Sequence, residues 1–193
     1  MASPPEVAAA ILAGGGAARM GGRPKSFLEV GGRRIIDRQL EVLRPRFREI
    51  LISANEPAGY AEFGLPVVPD AVPGQGPLGG ILAVLEAARA DRVQVVACDM
   101  PRITAAALDL VSDPRRDADV VVPVAFGRAE PLFARYSRAC APAIRARLAA
   151  GERKVAGLFP FVRVVEIPEA ELRAVDPDLA FLGNLNAPGD LGS

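Results

Sequence analysis

A chain of 193 residues that is 50% hydrophobic can bury one sizeable core, so a single domain over residues 1–193 is expected. Its 23 basic and 23 acidic residues cancel, which argues against binding nucleic acid or a membrane through bulk charge. The absence of histidine removes Ser-His-Asp and Cys-His catalysis and most zinc chemistry.

The first predicted element is a buried strand over residues 7–12 that stops at glycine. Residues 34–43 place Ile35, Ile36, Leu40 and Leu43 near one helical face, and Pro45 ends that helix. A second strand covers 49–53, and a short extended piece covers 65–68. The alanine-rich apolar run 79–90 reads as a helix. A third strand over 93–98 is closed by Asp99 and Pro101, and Thr104 can cap a helix running to about Val111. A fourth strand (118–124), a helix over 142–150 stopped by Gly151 and a late strand (162–167) follow. The tail from Asp176 reads as mostly loop. No apolar run approaches the ~18 residues of a membrane span. The opening MASPPEV lacks the basic-then-apolar layout of a signal peptide, so a cytoplasmic protein is expected. Cys98 and Cys140 are too few for a disulfide framework or a zinc site.

This alternation of apolar strands and helices predicts an α/β fold with a mainly parallel sheet covered by helices on both faces. Such sheets carry their sites beyond the carboxyl ends of the strands. Three suspicious features lie there: the loop 13–25 after the first strand, Asn55 after the second and Asp99 after the third.

The loop is the strongest signal. In LAGGGAARMGGRPKSF (12–27), five of sixteen residues are glycine, and the charged groups are Arg19, Arg23 and Lys25. Glycines let backbone N–H groups approach phosphate oxygens closely, and cations complete such a cradle. The dinucleotide pattern GxGxxG fails, because Arg19 stands where its third glycine belongs. The P-loop pattern fails because Gly22 and Arg23 replace its Lys and Ser/Thr. Only two lysines occur, Lys25 and Lys154; where arginine is the default, a lysine hints that a compact ammonium is wanted. Lys25 is expected to be exposed and to contribute little to stability. In ACDMP (97–101), Asp99 can hold Mg²⁺ beside phosphates or simply start the turn before Pro101; the neighbouring phosphate loop favours the metal. Cys98 has no base partner and reads as a structural thiol. The glycines of PDAVPGQGPLGG (69–80) permit close approach at a helix N-terminus.

LAGGGAARMGGRPK resembles the LAGG-x-x-x-R-M-G-x-x-K signature of nucleotidyltransferases that activate small phosphorylated molecules. Within these it is closest to the molybdenum cofactor guanylyltransferase family. Further matching segments follow in order: SAN (53–55), PD (69–70), GPLGG (76–80), CDMP (98–101), EPLFARY (130–136), AGERKV (150–155) and GNLNAPGDL (183–191).

The resemblance implies a Rossmann-like nucleotidyltransferase fold. It also implies transfer of GMP from GTP to the molybdopterin cofactor, with release of pyrophosphate and formation of the guanine dinucleotide cofactor. By the same resemblance, Leu12, Ala13, Gly14 and Gly15 meet the nucleotide, and Arg19 and Lys25 meet its phosphates. Asn55 and Asp70 make further GTP contacts, Asp99 binds Mg²⁺, and Asn184 and Asn186 form a pair near the active site. Arg153 and Lys154 fall where the pterin phosphate is expected, although cations beyond a helix end also simply favour its negative C-terminus. Other molybdenum-cofactor biosynthesis proteins and acceptor molybdoenzymes are implied as partners. Two departures stand out: Gly79 occupies a position that is often alanine, and the EPLFARY region lacks the histidine found in relatives. Three alternatives remain open: a cytidylyltransferase on the same pterin, a sugar-phosphate nucleotidyltransferase, and a non-catalytic nucleotide-binding domain.

Overall fold

The computed structural model describes residues 6–14, 19–20, 23–72 and 74–185. The chain runs β1 (Ala8–Leu12), β2 (Arg19–Met20), β3 (Arg23–Pro24), a 3-10 turn (Lys25–Phe27), β4 (Glu29–Val30), β5 (Arg33–Arg34), α1 (Ile35–Leu43), β6 (Ile50–Ser53), a 3-10 helix (Pro57–Phe63), β7 (Val67–Val68) and α2 (Gly76–Ala87). It continues with β8 (Arg92–Ala97), α3 (Ala105–Val111), β9 (Val120–Ala125), β10 (Arg128–Ala129), β11 (Phe133–Ser137), α4 (Ala141–Ala149), a 3-10 helix (Val155–Phe161), β12 (Val164–Ile167), α5 (Glu169–Val175) and a 3-10 turn (Ala180–Leu182). No helix among the described residues is long and apolar enough to cross a membrane.

One eight-stranded sheet, ordered β10-β9-β11-β8-β1-β6-β7 with β12 joined to β9, forms the frame. β1 is its centre. All five of its residues are buried, and their alternation sends Ala9 and Ile11 to one core and Ala8, Ala10 and Leu12 to the other. Residues of α1, α3 and α5 fill the first core, and those of α2 and α4 fill the second, so helices cover both faces. The β1–β6, β1–β8, β6–β7 and β9–β12 pairs are parallel. The α/β class expected from the alternation is what forms, as a mixed sheet rather than a purely parallel one.

Two members run antiparallel: the two-residue β10 at the edge beside β9, and β11, between β8 and β9. The sequence reading holds no strand there, and the reason is Arg135. It interrupts the apolar run yet is 1% exposed, and its guanidinium donates to the carbonyl oxygens of Asp113 and Arg116. The buried charge is tolerated because those carbonyls solvate it. α5 is also absent from that reading. It buries only Leu172, so its apolar stripe is too narrow to announce a helix.

The α2 helix begins at Gly76, three residues before the sequence-based start, because Pro77 suits a first helical turn. The helix then passes close to the sheet. A Cβ on Gly80 would lie 2.8 Å from Ser53 Oγ and 3.6 Å from both Asp70 Oδ1 and Leu12 Cδ2. Thr104 caps α3 as expected, its side chain accepting from the Ala107 N–H at 3.2 Å.

Gly80→Ala should therefore destabilise the protein by about 1–3 kcal/mol, the range for overpacking a filled interior. Adding Ser53→Ala removes the atom in the way and should restore most of the loss in urea denaturation. A neutral Gly80→Ala would show that α2 is free to move off the sheet.

Candidate active site

Three strands end at one level. Leu12 is paired with Ser53 of β6 on one side and with Ala97 of β8 on the other. The next residues stay tied together, with Ala13 N donating to Ser53 O (2.8 Å) and Cys98 N to Leu12 O (3.2 Å). The loops that leave these strands therefore meet, and they bound a cleft lined by Leu12, Gly14, Lys25, Pro77, Ala97, Cys98, Asp99 and Leu132.

Lys25 enters from the 3-10 turn after β3. Its neighbours hold that turn. Ser26 is buried with its hydroxyl 3.0 Å from Tyr60 Oη, and the Phe27 ring packs on Tyr60 at 5.3 Å between centroids. So anchored, Lys25 Nζ donates to Asp99 Oδ2 at 3.2 Å and to the Leu185 carbonyl at 3.4 Å. The Lys25 and Asp99 side chains are only 15% and 19% exposed. That corrects the expectation of an exposed lysine: the Lys25 ammonium is turned onto Asp99 and the Leu185 carbonyl rather than lying in solvent. Beside the pair, burial pushes the Cys98 thiol up to about 12, with the Asp99 charge adding to the effect and Lys25 opposing it. Cys98 stays protonated at neutral pH, in keeping with a structural role.

Asn55 and Asp70 form a second pair one strand further along. Asn55 Nδ2 donates to Asp70 Oδ2 (3.2 Å), and Asp70 N donates to Asn55 Oδ1 (2.8 Å). The two clusters are joined by Gly14, where a Cβ would sit 3.9 Å from Asn55 Nδ2. The chain thus offers a polar pair, a glycine backbone and a cation–carboxylate pair across the ends of adjacent strands. This arrangement can take a long anionic ligand with a polar head.

The C-terminal segment closes one wall. Leu185 N donates to Asp99 O at 2.9 Å, and the Leu185 side chain is buried with Val30 and Ile35. Asn184, immediately before it, carries a buried Oδ1 with no hydrogen-bond partner among the described residues. Arg153 and Lys154 are exposed, and the backbone N–H groups of both donate to Glu152 Oε1. Arg153 lies beside the start of α2, where a Cβ on Gly76 would be 4.0 Å from its own Cβ; no described contact joins Lys154 to Lys25 or Asp99. Gly15 and Asn186 lie outside the described residues. Only the backbone of Arg19 is described, in β2.

Sequence reasoning missed several members. Pro77 and Leu132 line the cleft as ordinary apolar residues. Glu130 accepts from Leu132 N at 3.3 Å, and burial pushes its carboxyl up, with the Asp99 charge adding to this. Leu185 sits between two asparagines that drew all the notice. Gln39 carried a visible signal, a polar residue in the i, i+3, i+4, i+7 series Ile36, Gln39, Leu40, Leu43, all of them buried.

Asp99 is the carboxylate that could hold a metal. No group of three or more Asp, Glu or Cys side chains gathers to cage one among the described residues. A single carboxylate is nonetheless a donor set that Mg²⁺ takes, since Mg²⁺ keeps its waters and binds one or two carboxylates together with substrate phosphates.

The family model described as "MobA-like NTP transferase domain" matches residues 9–163. A protein of Pelotomaculum thermopropionicum named "Probable molybdenum cofactor guanylyltransferase" is 42% identical over 182 residues, covering 94% of this chain and 88% of that protein. The "Molybdenum cofactor guanylyltransferase" of Desulfosudis oleivorans is 36% identical over 182 residues, covering 94% and 90%. Among solved structures, the molybdopterin-guanine dinucleotide biosynthesis protein A of Archaeoglobus fulgidus superposes with a TM-score of 0.82 at 26% identity, covering 95% of this chain and 94% of that one. The 2-C-methyl-D-erythritol 4-phosphate cytidylyltransferase of Thermus thermophilus, at 20% identity and TM-score 0.65 with 94% of each chain covered, shares the fold.

Because the Lys25–Asp99 pair is mostly shielded from water, Lys25→Met should lower stability by about 1–2 kcal/mol through the unpaired carboxylate it leaves. Asp99→Asn in the same chain should recover part of that loss. Equal denaturation midpoints for wild type and Lys25→Met would mean that the pair is fully solvated.

Proposed function

The chain belongs to the MobA-like NTP transferase family, and we propose that it transfers GMP from GTP to the molybdopterin cofactor, releasing pyrophosphate and forming the molybdopterin guanine dinucleotide cofactor. The observation that carries this reading is the meeting of Gly14, Lys25 and Asp99 in one cleft at the strand ends. Guanylyltransferase relatives at 42% and 36% identity support the choice of substrates.

In the reaction, an oxygen of the pterin's terminal phosphate attacks the α-phosphorus of GTP. A new P–O bond forms, the α–β bridge breaks, and its electron pair leaves on pyrophosphate. Both reactants are anions, so the barrier is largely one of bringing negative charges together and holding them in line. Gly14 and the loop after it meet the phosphates through backbone N–H groups, and Gly15 and Arg19 belong to the same loop. The Lys25 ammonium takes up phosphate charge. Asn55 and Asp70 hold the nucleoside end of GTP. Asp99 would hold Mg²⁺, which would supply positive charge against the phosphate oxygens. Lys25 and Asp99 neutralise each other across 3.2 Å, so neither stands as a bare charge in the cleft before a substrate phosphate reaches Lys25. Asn184 and Asn186 serve the same end of the site. No covalent intermediate on the protein is required, in keeping with a chain that has no histidine.

The pterin side is assigned to the segment before the 3-10 helix Val155–Phe161. Arg153 lies next to the N-terminal end of α2, and Pro77 of that helix lines the cleft. Arg153 and Lys154 supply the cations for the pterin phosphate.

Two outcomes test this reading. With molybdopterin and Mg²⁺, pyrophosphate release should be strong with GTP and weak with CTP or ATP, and Asp99→Asn should lower turnover by roughly 10² or more. Equal use of CTP would favour cytidylyl transfer; near-normal turnover of Asp99→Asn would reduce Asp99 to a turn residue. In a separate measurement, Arg153→Ala with Lys154→Ala should weaken pterin binding and spare GTP binding. Parallel loss of both affinities would refute the assignment of these cations to the pterin.

A further inference from the structure

The turn that presents Asp99 is held by a side chain from the opposite direction. Gln39 lies on α1, is 0% exposed, and directs its amide nitrogen under the end of β8. Nε2 donates to Ala97 O at 2.7 Å and to Met100 O at 3.0 Å. These carbonyls belong to the first and last residues of the turn Ala97–Met100, in which Asp99 is third. The turn's own closing bond, Met100 N to Ala97 O, is long at 3.3 Å. Gln39 thus clasps both ends of a turn that is loosely closed by itself.

The chemistry of the clasp fixes which way the amide faces. Two carbonyl acceptors require the NH₂ group between them, since an oxygen there would face two like dipoles. The consequence is an Oε1 that is buried with no partner among the described residues. An orphaned buried acceptor costs about 1–3 kcal/mol. A hydrophobic residue at this place on α1 would avoid that cost and complete the apolar stripe of Ile36, Leu40 and Leu43. What the glutamine adds is the bridge to the turn.

We propose that Gln39 is a positioning residue for the reaction: its bidentate clasp on Ala97 and Met100 sets the place of the Asp99 carboxylate and so the affinity of the site for Mg²⁺. This rests on the assignment of Asp99 as the metal-holding residue. Gln39 does not touch the cleft, being absent from the residues that line it, and works through the backbone on either side of Asp99. Three supports converge on that one residue: Lys25 on its carboxylate, Leu185 N on its carbonyl and Gln39 on its flanks. Of the three, Gln39 alone holds both carbonyls that flank the turn, and it does so from a buried helix face.

The test uses Gln39→Met, which keeps length and shape and removes both donors, beside Asp99→Asn and wild type. Binding of a fluorescent GTP analogue is measured in EDTA and across a Mg²⁺ titration, together with pyrophosphate release. For Gln39→Met the half-saturating Mg²⁺ should rise about tenfold, as when an outer-shell partner of a metal ligand is lost. Metal-free affinity for the analogue should be unchanged, and excess Mg²⁺ should restore turnover. A merely structural role would lower stability without moving the Mg²⁺ requirement, and that result overturns the proposal while Asp99→Asn still abolishes the Mg²⁺ response. If Asp99→Asn keeps the wild-type Mg²⁺ response, the metal assignment and the Gln39 proposal fall together. Should Gln39→Met fail to fold, NMR of the wild-type protein decides. The Gln39 side-chain NH₂ should exchange slowly with solvent and shift when Mg²⁺ is added to the GTP-bound protein; rapid exchange or an unmoved signal overturns the proposal.

Discussion

The parallel register of β1 with its two neighbours is the constraint on which the rest depends. Leu12 stands opposite both Ser53 and Ala97, so three strands finish at the same height. Gly14 after β1, Asn55 after β6 and Asp99 after β8 all lie within a few residues of those ends. Because side chains alternate along a strand, a slip of one residue in either pairing would exchange its two cores and separate the loops. The same hydrophobic alternation that fills both cores therefore also aligns the site. The small side chains of β1 and the bare Gly80 let α2 settle against the sheet, which keeps Pro77 at the cleft wall.

Charge is used locally in a chain whose total is zero. Most of its ion pairs sit at the surface and are worth little individually. Lys25 and Asp99 differ in being largely shielded and in meeting inside the cleft at the strand ends. Pairing them in the absence of ligand avoids two bare charges in a poorly hydrated cleft. A phosphate and a divalent cation arriving together offer each partner a replacement. A site of this kind needs no titrating group near neutral pH, and the cysteine beside it is held protonated.

The supports of Asp99 show how such a site is kept in shape. The tail of the chain is fastened by Leu185, whose side chain joins Val30 and Ile35 in a small cluster apart from the two main cores. That cluster also underlies the segment following Lys25, so one apolar contact fixes the wall carrying Asn184 and the approach of the lysine. Gln39 gives the turn a second attachment from inside the protein. The cleft is thus built from residues early, middle and late in the chain, each delivered by packing rather than by nearness in sequence.

The sequence by itself determined the α/β class, the five main parallel strands and α1 to α4, because uninterrupted apolar runs and helical spacing follow from local chemistry. It also singled out the glycine-rich stretch with Arg19 and Lys25 as a candidate phosphate cradle. Only the tertiary structure decided what depended on partners distant in the chain. Arg135 hid β11 because its charge is satisfied by carbonyls some twenty residues away. Lys25 read as exposed because nothing local reveals that Asp99, 74 residues later, receives it. Gln39 drew no sequence-based expectation, because only the fold brings the end of β8 against it. Spacing along a chain reports which face a residue occupies; which group waits opposite that face is fixed only when the strands and helices pack.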